Sequence, residues 1–175
     1  MRKLILILFV LAATPAVAQQ INLQSINKLA DKAKEKTEVT LDESTLKFAS
    51  GFLSNKNADE AAAKQVTDGL KAIYVRVFEF DHSGAFSAAD LKPVRDQLKG
   101  PQWTRIVNVH EGDNQDTEIW IHKDGATTDG LLILSTESNE LTVVNIVGRI
   151  DPKDLGKLGG QFGIPKIDDS KKEEN

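Results

Sequence analysis

Residues 70–80 read LKAIYVRVFEF, and apolar side chains dominate both of the alternating sets that a β-strand places on its two faces. A strand that is apolar on both faces is typical of the interior of a sheet. This stretch therefore predicts a central strand. The two sets are Ile73, Val75 and Val77 on one side and Tyr74, Phe78 and Phe80 on the other.

The chain after this strand predicts one helix and then an antiparallel meander. Ser87 and Asp90 have the spacing of a helix capping box, and Gly100-Pro101 ends the helical pattern. Short apolar runs joined by turn-rich connections favour antiparallel neighbours. A last short helix is expected over 155–158. The four predicted strands are Trp103–Val109, Glu118–Lys123, Leu131–Thr136 and Leu141–Gly148.

Three helices are predicted before residue 70. The first is an amphipathic helix assigned to residues 19–40 and running from about 22 to 36. A second, more apolar helix is entered through residues 42–44, and a third opens at Asn57 and ends near Gly69. The apolar face of the first consists of Ile26, Leu29, Ala30 and Ala33; the second carries Leu46, Phe48, Ala49, Phe52 and Leu53.

This order of elements predicts an α+β fold. N-terminal helices precede a β-α-β-β-β-β-α unit, which forms one mainly antiparallel sheet with helices packed on one face. Residues 41–165 are expected to form a single α+β domain. The tail, residues 166–175, is almost entirely polar and charged, which predicts disorder.

The first 18 residues have the features of a cleavable signal peptide. A positive start (Met1-Arg2-Lys3) precedes an apolar run from Leu4 to Leu11, and Ala16-Val17-Ala18 has the small-x-small pattern of a cleavage site. The run is too short for a permanent membrane helix. We therefore expect an exported protein, periplasmic or secreted, with no transmembrane segment in the mature chain.

Composition narrows the classes of function. The chain has no cysteine, which excludes disulfides, thiol catalysis and a lipid-modified N-terminal cysteine. Its formal net charge is −4, and no basic stripe occurs, so nucleic acid is not an expected partner.

One loop resembles a calcium site. Aligned on an EF-hand, residues 79–90 place oxygen-bearing side chains at most ligand positions and Gly84 at the turn. Against this, the first position is glutamate, the last is a short aspartate, and the loop follows a strand. The alternative is a strand, a glycine turn and a capped helix. The candidate metal ligands are Glu79, Asp81, Ser83 and Asp90.

No complete catalytic or cofactor motif is present, so we expect no enzyme activity and no cofactor. The three histidines, His82, His110 and His122, lack metal-ligand spacing and are interpreted as solvent-exposed. Trp103 and Trp120 are interpreted as sheet-packing residues. A small hydrolase would need carboxylates and histidines to converge, and its candidates are Glu79, Asp81, His82 and His110.

Three polar residues lie within the apolar strands. Arg76, Asn145 and Arg149 are interpreted as members of internal hydrogen bonds or ion pairs, with Glu79 and Asp81 as candidate partners. The alternative is that they form one side of a site.

Three segments together resemble a bacterial envelope family known as domain of unknown function 4252. They are residues 69–81, residues 90–98 with Trp103 following, and residues 140–151, of which the run LTVVNIVG is the most specific; residues 162–165 agree as well. The resemblance spans most of residues 40–165. It implies an exported bacterial protein with a small α+β domain, and it implies no reaction.

The expected function is that of an exported, non-catalytic envelope protein that binds an unknown protein or small ligand through its sheet or helical face. The first alternative is a weak calcium-binding module at residues 79–90. The second is the small hydrolase with a carboxylate and histidine site.

Overall fold

The computed structural model describes residues 20–52, 64, 67–112 and 115–150. The predicted signal peptide, the tail, the last helix and most of the third predicted helix lie outside these residues. Lys64, Thr67 and Asp68, which belong to that third helix, are helical. Within the described part of the chain, no helix has the length and apolar character that crossing a bilayer requires.

Six strands form one antiparallel sheet in the order β1-β2-β6-β5-β4-β3. The strands are β1 (Glu35–Asp42), β2 (Leu70–Glu79), β3 (Trp103–Glu111), β4 (Gln115–Asp124), β5 (Thr127–Thr136) and β6 (Glu140–Gly148). The helices are α1 (Gln24–Asn27), extended by a 3₁₀ turn (Lys28–Asp31), α2 (Glu43–Ser50) and α3 (Ala88–Gln97). The α+β class and the antiparallel meander are confirmed.

The first helix is shorter than predicted, and a strand follows it. The helical turns end at Asp31, whereas residues 35–42 form β1 and pair with β2. The helix predicted to about residue 36 is therefore wrong beyond Asp31. Val39 and Leu41 alternate with polar residues, and this two-residue period was the available signal for a strand.

Helices contact both faces of the sheet, not one face as predicted. One face, here the α1/α3 face, packs Ile26 and Val94 against Phe78 and other strand residues. On the opposite face, here the α2 face, Leu46 packs with Ile73 and neighbouring strand residues. Because β2 is apolar on both sides, both faces must be covered. Val75 and Phe78, which point to opposite faces, are both fully buried.

The helices α2 and α3 begin at capping carboxylates. Asp42 precedes α2, and its Oδ1 accepts from the Thr45 N–H at 2.7 Å and from the Ser44 hydroxyl at 2.8 Å. In the first turn of α3, Asp90 Oδ2 accepts from both the N–H and the hydroxyl of Ser87, the residue before the helix, at 2.8 Å. The predicted Ser87–Asp90 capping box is therefore present.

Candidate functional site

The loop between β2 and α3 forms a glycine turn and then the N-terminal cap of α3. Gly84 has a φ of 81°, a left-handed conformation that glycine adopts without strain. The Asp90 carboxylate is engaged by Ser87. Glu79 ends β2 and faces Glu35 and Glu140 on the neighbouring strands, while Asp81 is exposed. Among the residues described, no three His, Asp or Glu side chains are grouped closely enough to hold a metal ion.

The candidate calcium ligands are thus not gathered into one site. Of the four, Asp90 accepts a hydrogen bond from Ser87 at the start of α3. Ser83 lines a cavity that lies beside the loop, and Glu79 and Asp81 do not line it. The calcium hypothesis remains a prediction, and the alternative of a strand, a turn and a capped helix describes the observed loop.

Carboxylate caps make the fold sensitive to acid. The hydrogen bond from the Thr45 N–H, followed by those from Ser44, lowers the pKa of Asp42 from 3.8 to about 2. Bonds from Ser87 likewise lower the pKa of Asp90. A folded-state pKa below the unfolded value contributes stability above about pH 4, and this contribution is lost as the pH falls towards 2.

We therefore expect the melting temperature of Asp42→Asn to fall less steeply than that of the parent protein as the pH is lowered from about 4 towards 2. Asparagine can still cap α2, but it cannot ionise. Melting temperatures from pH 6 to pH 2 would measure the effect, with Ser44→Ala, which removes one hydrogen bond, as an intermediate case. An acid limb as steep as that of the parent protein would contradict this role of Asp42.

A shallow cavity of about 250 Å³ lies beside the loop. Loop residues, Leu91 and Arg95 of α3, Asp116 of β4 and the turn after β5 form its walls. Glu79, Asp81, His82 and His110 do not line it. This cavity therefore does not bring the four residues of the hydrolase hypothesis together. Its volume is also below the roughly 300–1,000 Å³ typical of small-molecule sites.

The three histidines lie apart and have different surroundings. Exposed His110 pairs with Asp116 through Nδ1 and Oδ1 at 2.5 Å, and exposed His82 contacts the Ser83 carbonyl. His122 lies at the other end of the β3–β4 hairpin, six residues along β4 from Asp116, which is about 20 Å. In the described part of the chain, the His110 ring has no hydroxyl partner that it could activate.

His122 is buried, which corrects the interpretation that all three histidines are solvent-exposed. Its side chain is 3 % exposed, and Nδ1 lies 2.6 Å from Asp129 Oδ1. The Trp103 ring packs edge-on to the imidazole, with ring centroids 5.1 Å apart. Nε2 is buried and has no hydrogen-bond partner among the described residues. The carboxylate of Asp129 and the Trp103 ring fix the imidazole in place at the end of the sheet.

Glu118 is the centre of a charged network that sequence reasoning missed. Its side chain is 7 % exposed, and Oε1 accepts from Arg95 at 2.7 and 2.9 Å. Oε2 accepts from the Trp120 ring N–H at 3.1 Å and lies 3.6 Å from Arg105, which stacks over the same tryptophan. Because the buried carboxylate is compensated on both oxygens, the network fastens α3 to the sheet. Trp103 and Trp120 both pack on the α1/α3 face, which agrees with their interpretation as sheet-packing residues.

Arg76 and Asn145 make hydrogen bonds with partners other than Glu79 and Asp81, whereas Arg149 lies just after the end of β6 and donates its backbone N–H to the Gly69 carbonyl. Arg76 donates to Asn27 of α1 and to the carbonyl oxygen of Val39 in β1, and it lies 3.4 Å from Glu38. Asn145 is fully buried and accepts from the N–H of Ile21. These bonds hold the N-terminal segment onto the sheet.

Among the described residues, the most exposed large apolar side chains are two phenylalanines, one in the last turn of α2 and one just after it. Phe48 is 70 % exposed and Phe52 is 75 % exposed, and their rings meet edge to face with centroids 5.0 Å apart. Both residues were assigned to an apolar helix from the sequence, but only Leu46 of α2 enters the core. Helical periodicity identified an apolar segment without showing which of its residues would remain outside.

The comparisons with known proteins give one result. A family model with the description "Domain of unknown function (DUF4252)" matches residues 30–158. No curated protein matches the chain, and no solved structure does.

Proposed function

The chain belongs to the family described as Domain of unknown function (DUF4252), and we propose that it is an exported, non-catalytic protein that binds another protein through Phe48 and Phe52. The family description names no reaction, and the exposed surface of the protein supports the proposal. The signal-like residues 1–18 support export.

The phenylalanine pair is the observation that carries the proposal. Full burial of one phenylalanine is worth roughly 1.5–3 kcal/mol, and both rings are more than two-thirds exposed. The edge-to-face contact already orders the two rings against each other, which reduces the entropy that a partner must remove. Aromatic anchors of this kind contribute a large part of the affinity in protein interfaces.

The surroundings of the pair favour a protein over a lipid surface. Lys47 is paired with Glu43 at 2.5 Å, so this part of α2 carries no net positive charge. The whole chain is acidic, with a net charge of −4. Since binding to anionic lipid requires basic residues around the apolar ones, the expected partner is a protein with an apolar pocket.

Two observations support a non-catalytic role. The cavity beside α3 is small, and the candidate hydrolase residues do not line it. Buried polar side chains of the described residues, among them Glu118 with its arginines and His122 with Asp129, are engaged in contacts that hold strands and helices together. The burial of these side chains is therefore explained by the stability that their contacts give the fold.

Crosslinking in the native host would test the proposal. A photoreactive amino acid at position 48 should capture a discrete protein, whereas the same group at Lys92, an exposed position on α3, should not. N-terminal sequencing of this chain, purified from the same host, would show whether residues 1–18 have been removed.

Affinity measurements with the purified partner would then test the residues. The double variant Phe48→Ser/Phe52→Ser should weaken binding by about thirtyfold, which corresponds to about 2 kcal/mol. It should melt at the same temperature as the parent, because both rings are exposed. Ile106→Ser, which removes an exposed apolar side chain elsewhere, is the matched control. Unchanged affinity, or binding of lipid vesicles in place of a protein, would overturn the proposal.

A further inference from the structure

The predicted cleavage site lies very close to the first buried residue of the fold. The small-x-small pattern ends at Ala18, so cleavage there makes Gln19 the first residue of the mature chain. Gln20 is exposed, and Ile21 is already buried in the core. Only Gln19 and Gln20 would therefore precede the packed part of the protein.

The backbone that follows the cleavage site is fixed to the sheet and to α3. The N–H of Ile21 donates to Asn145 Oδ1 at 3.0 Å, and the N–H of Asn22 donates to Gln97 Oε1 at 2.8 Å. Gln97 also donates from Nε2 to the Asn22 carbonyl at 3.1 Å. Asn145 is fully buried, so the bond to Ile21 is made by an uncharged amide in the core.

Trimming of the mature chain would change the charge of this amide. An aminopeptidase removes one residue at a time from a free α-amine, and unprotected chain ends are common sites of proteolysis. Loss of Gln19 and Gln20 would convert the Ile21 amide into a charged α-ammonium group beside the buried Asn145 side chain. Burial of such a charge costs more than burial of the amide that it replaces, so this anchor depends on an intact N-terminus.

We infer that Gln19 is a modification site, which cyclises to pyroglutamate once residues 1–18 have been removed. The modification rests on the proposed export, because it requires the free α-amine that cleavage creates. A part of the α-amino groups is uncharged at neutral pH and can act as a nucleophile. Nucleophile and amide belong to one residue, so the reaction is intramolecular.

The cyclisation balances without an oxidant, a reductant or a further reactant. The α-nitrogen attacks the side-chain amide carbon, and the new C–N bond closes a five-membered lactam. The bond from this carbon to the side-chain nitrogen breaks, and that nitrogen leaves as ammonia with the proton that the amine releases. The product has no α-amine and no positive charge, so an aminopeptidase cannot begin to trim the chain.

Mass spectrometry of the protein purified from its native host would test the modification, since a cyclised terminus has no free amine for stepwise chemical sequencing. The tryptic peptide 19–28 should be lighter than its sequence by the mass of one ammonia molecule. A synthetic peptide of the same sequence, carried through the same preparation, should stay almost wholly uncyclised. A native peptide no more cyclised than the synthetic one would overturn the inference.

Two asparagine variants form a matched pair for the consequence. In Gln19→Asn the amide lies one carbon closer to the backbone, so the same attack would close a strained four-membered ring. This variant should keep its α-amine and lose residues to added aminopeptidase, whereas Gln20→Asn should be cyclised and resist trimming, as the parent does. Equal trimming of the two variants would contradict protection by the lactam.

The same masses distinguish this inference from the proposed function. A chain that begins at Gln19 with its ammonia retained would overturn the modification and leave export standing. A chain that still carries residues 1–18 would overturn export, and the modification with it.

Discussion

Gly148→Ala is expected to destabilise the protein by about 3 kcal/mol, because the added methyl group meets backbone atoms on three sides. Gly148 ends β6 with a φ of 130°, a conformation that L-residues rarely adopt. A Cβ there would lie 2.5 Å from the Gly69 oxygen, 2.6 Å from Leu70 Cα and 2.8 Å from the Lys71 nitrogen. None of these atoms can rotate away, so β2 and β6 would have to separate.

Urea unfolding of three alanine variants would measure this effect. Gly100→Ala adds a methyl group with no atom within 4 Å and no positive φ, so its stability should stay within about 0.5 kcal/mol of the parent. Gly125→Ala has open space but a φ of 60°, so it should cost about 1 kcal/mol. If Gly148→Ala costs no more than Gly125→Ala, the close approach of β2 and β6 is not a real constraint on the fold.

Asn145→Ala is expected to cost about 2–3 kcal/mol, because it leaves buried backbone groups without partners. The Asn145 side chain accepts from the Ile21 N–H at 3.0 Å and donates to the Leu131 carbonyl at 3.1 Å. Asn145 itself is fully buried, and Ile21 is 3 % exposed, so water cannot replace the lost bonds without opening the core.

Chemical unfolding and hydrogen exchange would distinguish the two parts of this effect. Unfolding gives the total cost, and the exchange rate of the Ile21 amide shows whether the N-terminal segment is released from the sheet. Asn139→Ala is the control, because its amide makes only a long 3.4 Å bond to the Phe80 carbonyl at a partly buried site. Normal protection of the Ile21 amide in Asn145→Ala would show that apolar packing alone holds the segment.

Asn145 and Ile21 show which part of a buried contact can be predicted from the sequence and which part cannot. Asn145 was recognised as a polar residue in an apolar strand, and an internal hydrogen-bonding role was expected for it. Its partner, the backbone of Ile21, lies 124 residues away in the chain. No local pattern encodes a contact at that separation.

The other features of the candidate site also differ in whether they can be predicted from the sequence. The capping box at Ser87 was predictable because its two residues are three positions apart and interact within one turn. The Glu118 network joins α3, β3 and β4, and it depends on how the helix crosses the sheet. The exposure of Phe48 and Phe52 depends likewise on which side of α2 faces the sheet.

Alternating and helical periodicity determined, from the sequence alone, the central strand at 70–80, the meander and the α+β class, because these patterns repeat over neighbouring residues. Only the tertiary structure decided that residues 35–42 pair with β2, that helices contact both faces, and that His122 is buried. Each of these results depends on pairing between distant segments. The free energy of such pairing comes from shared burial, which no single segment carries by itself.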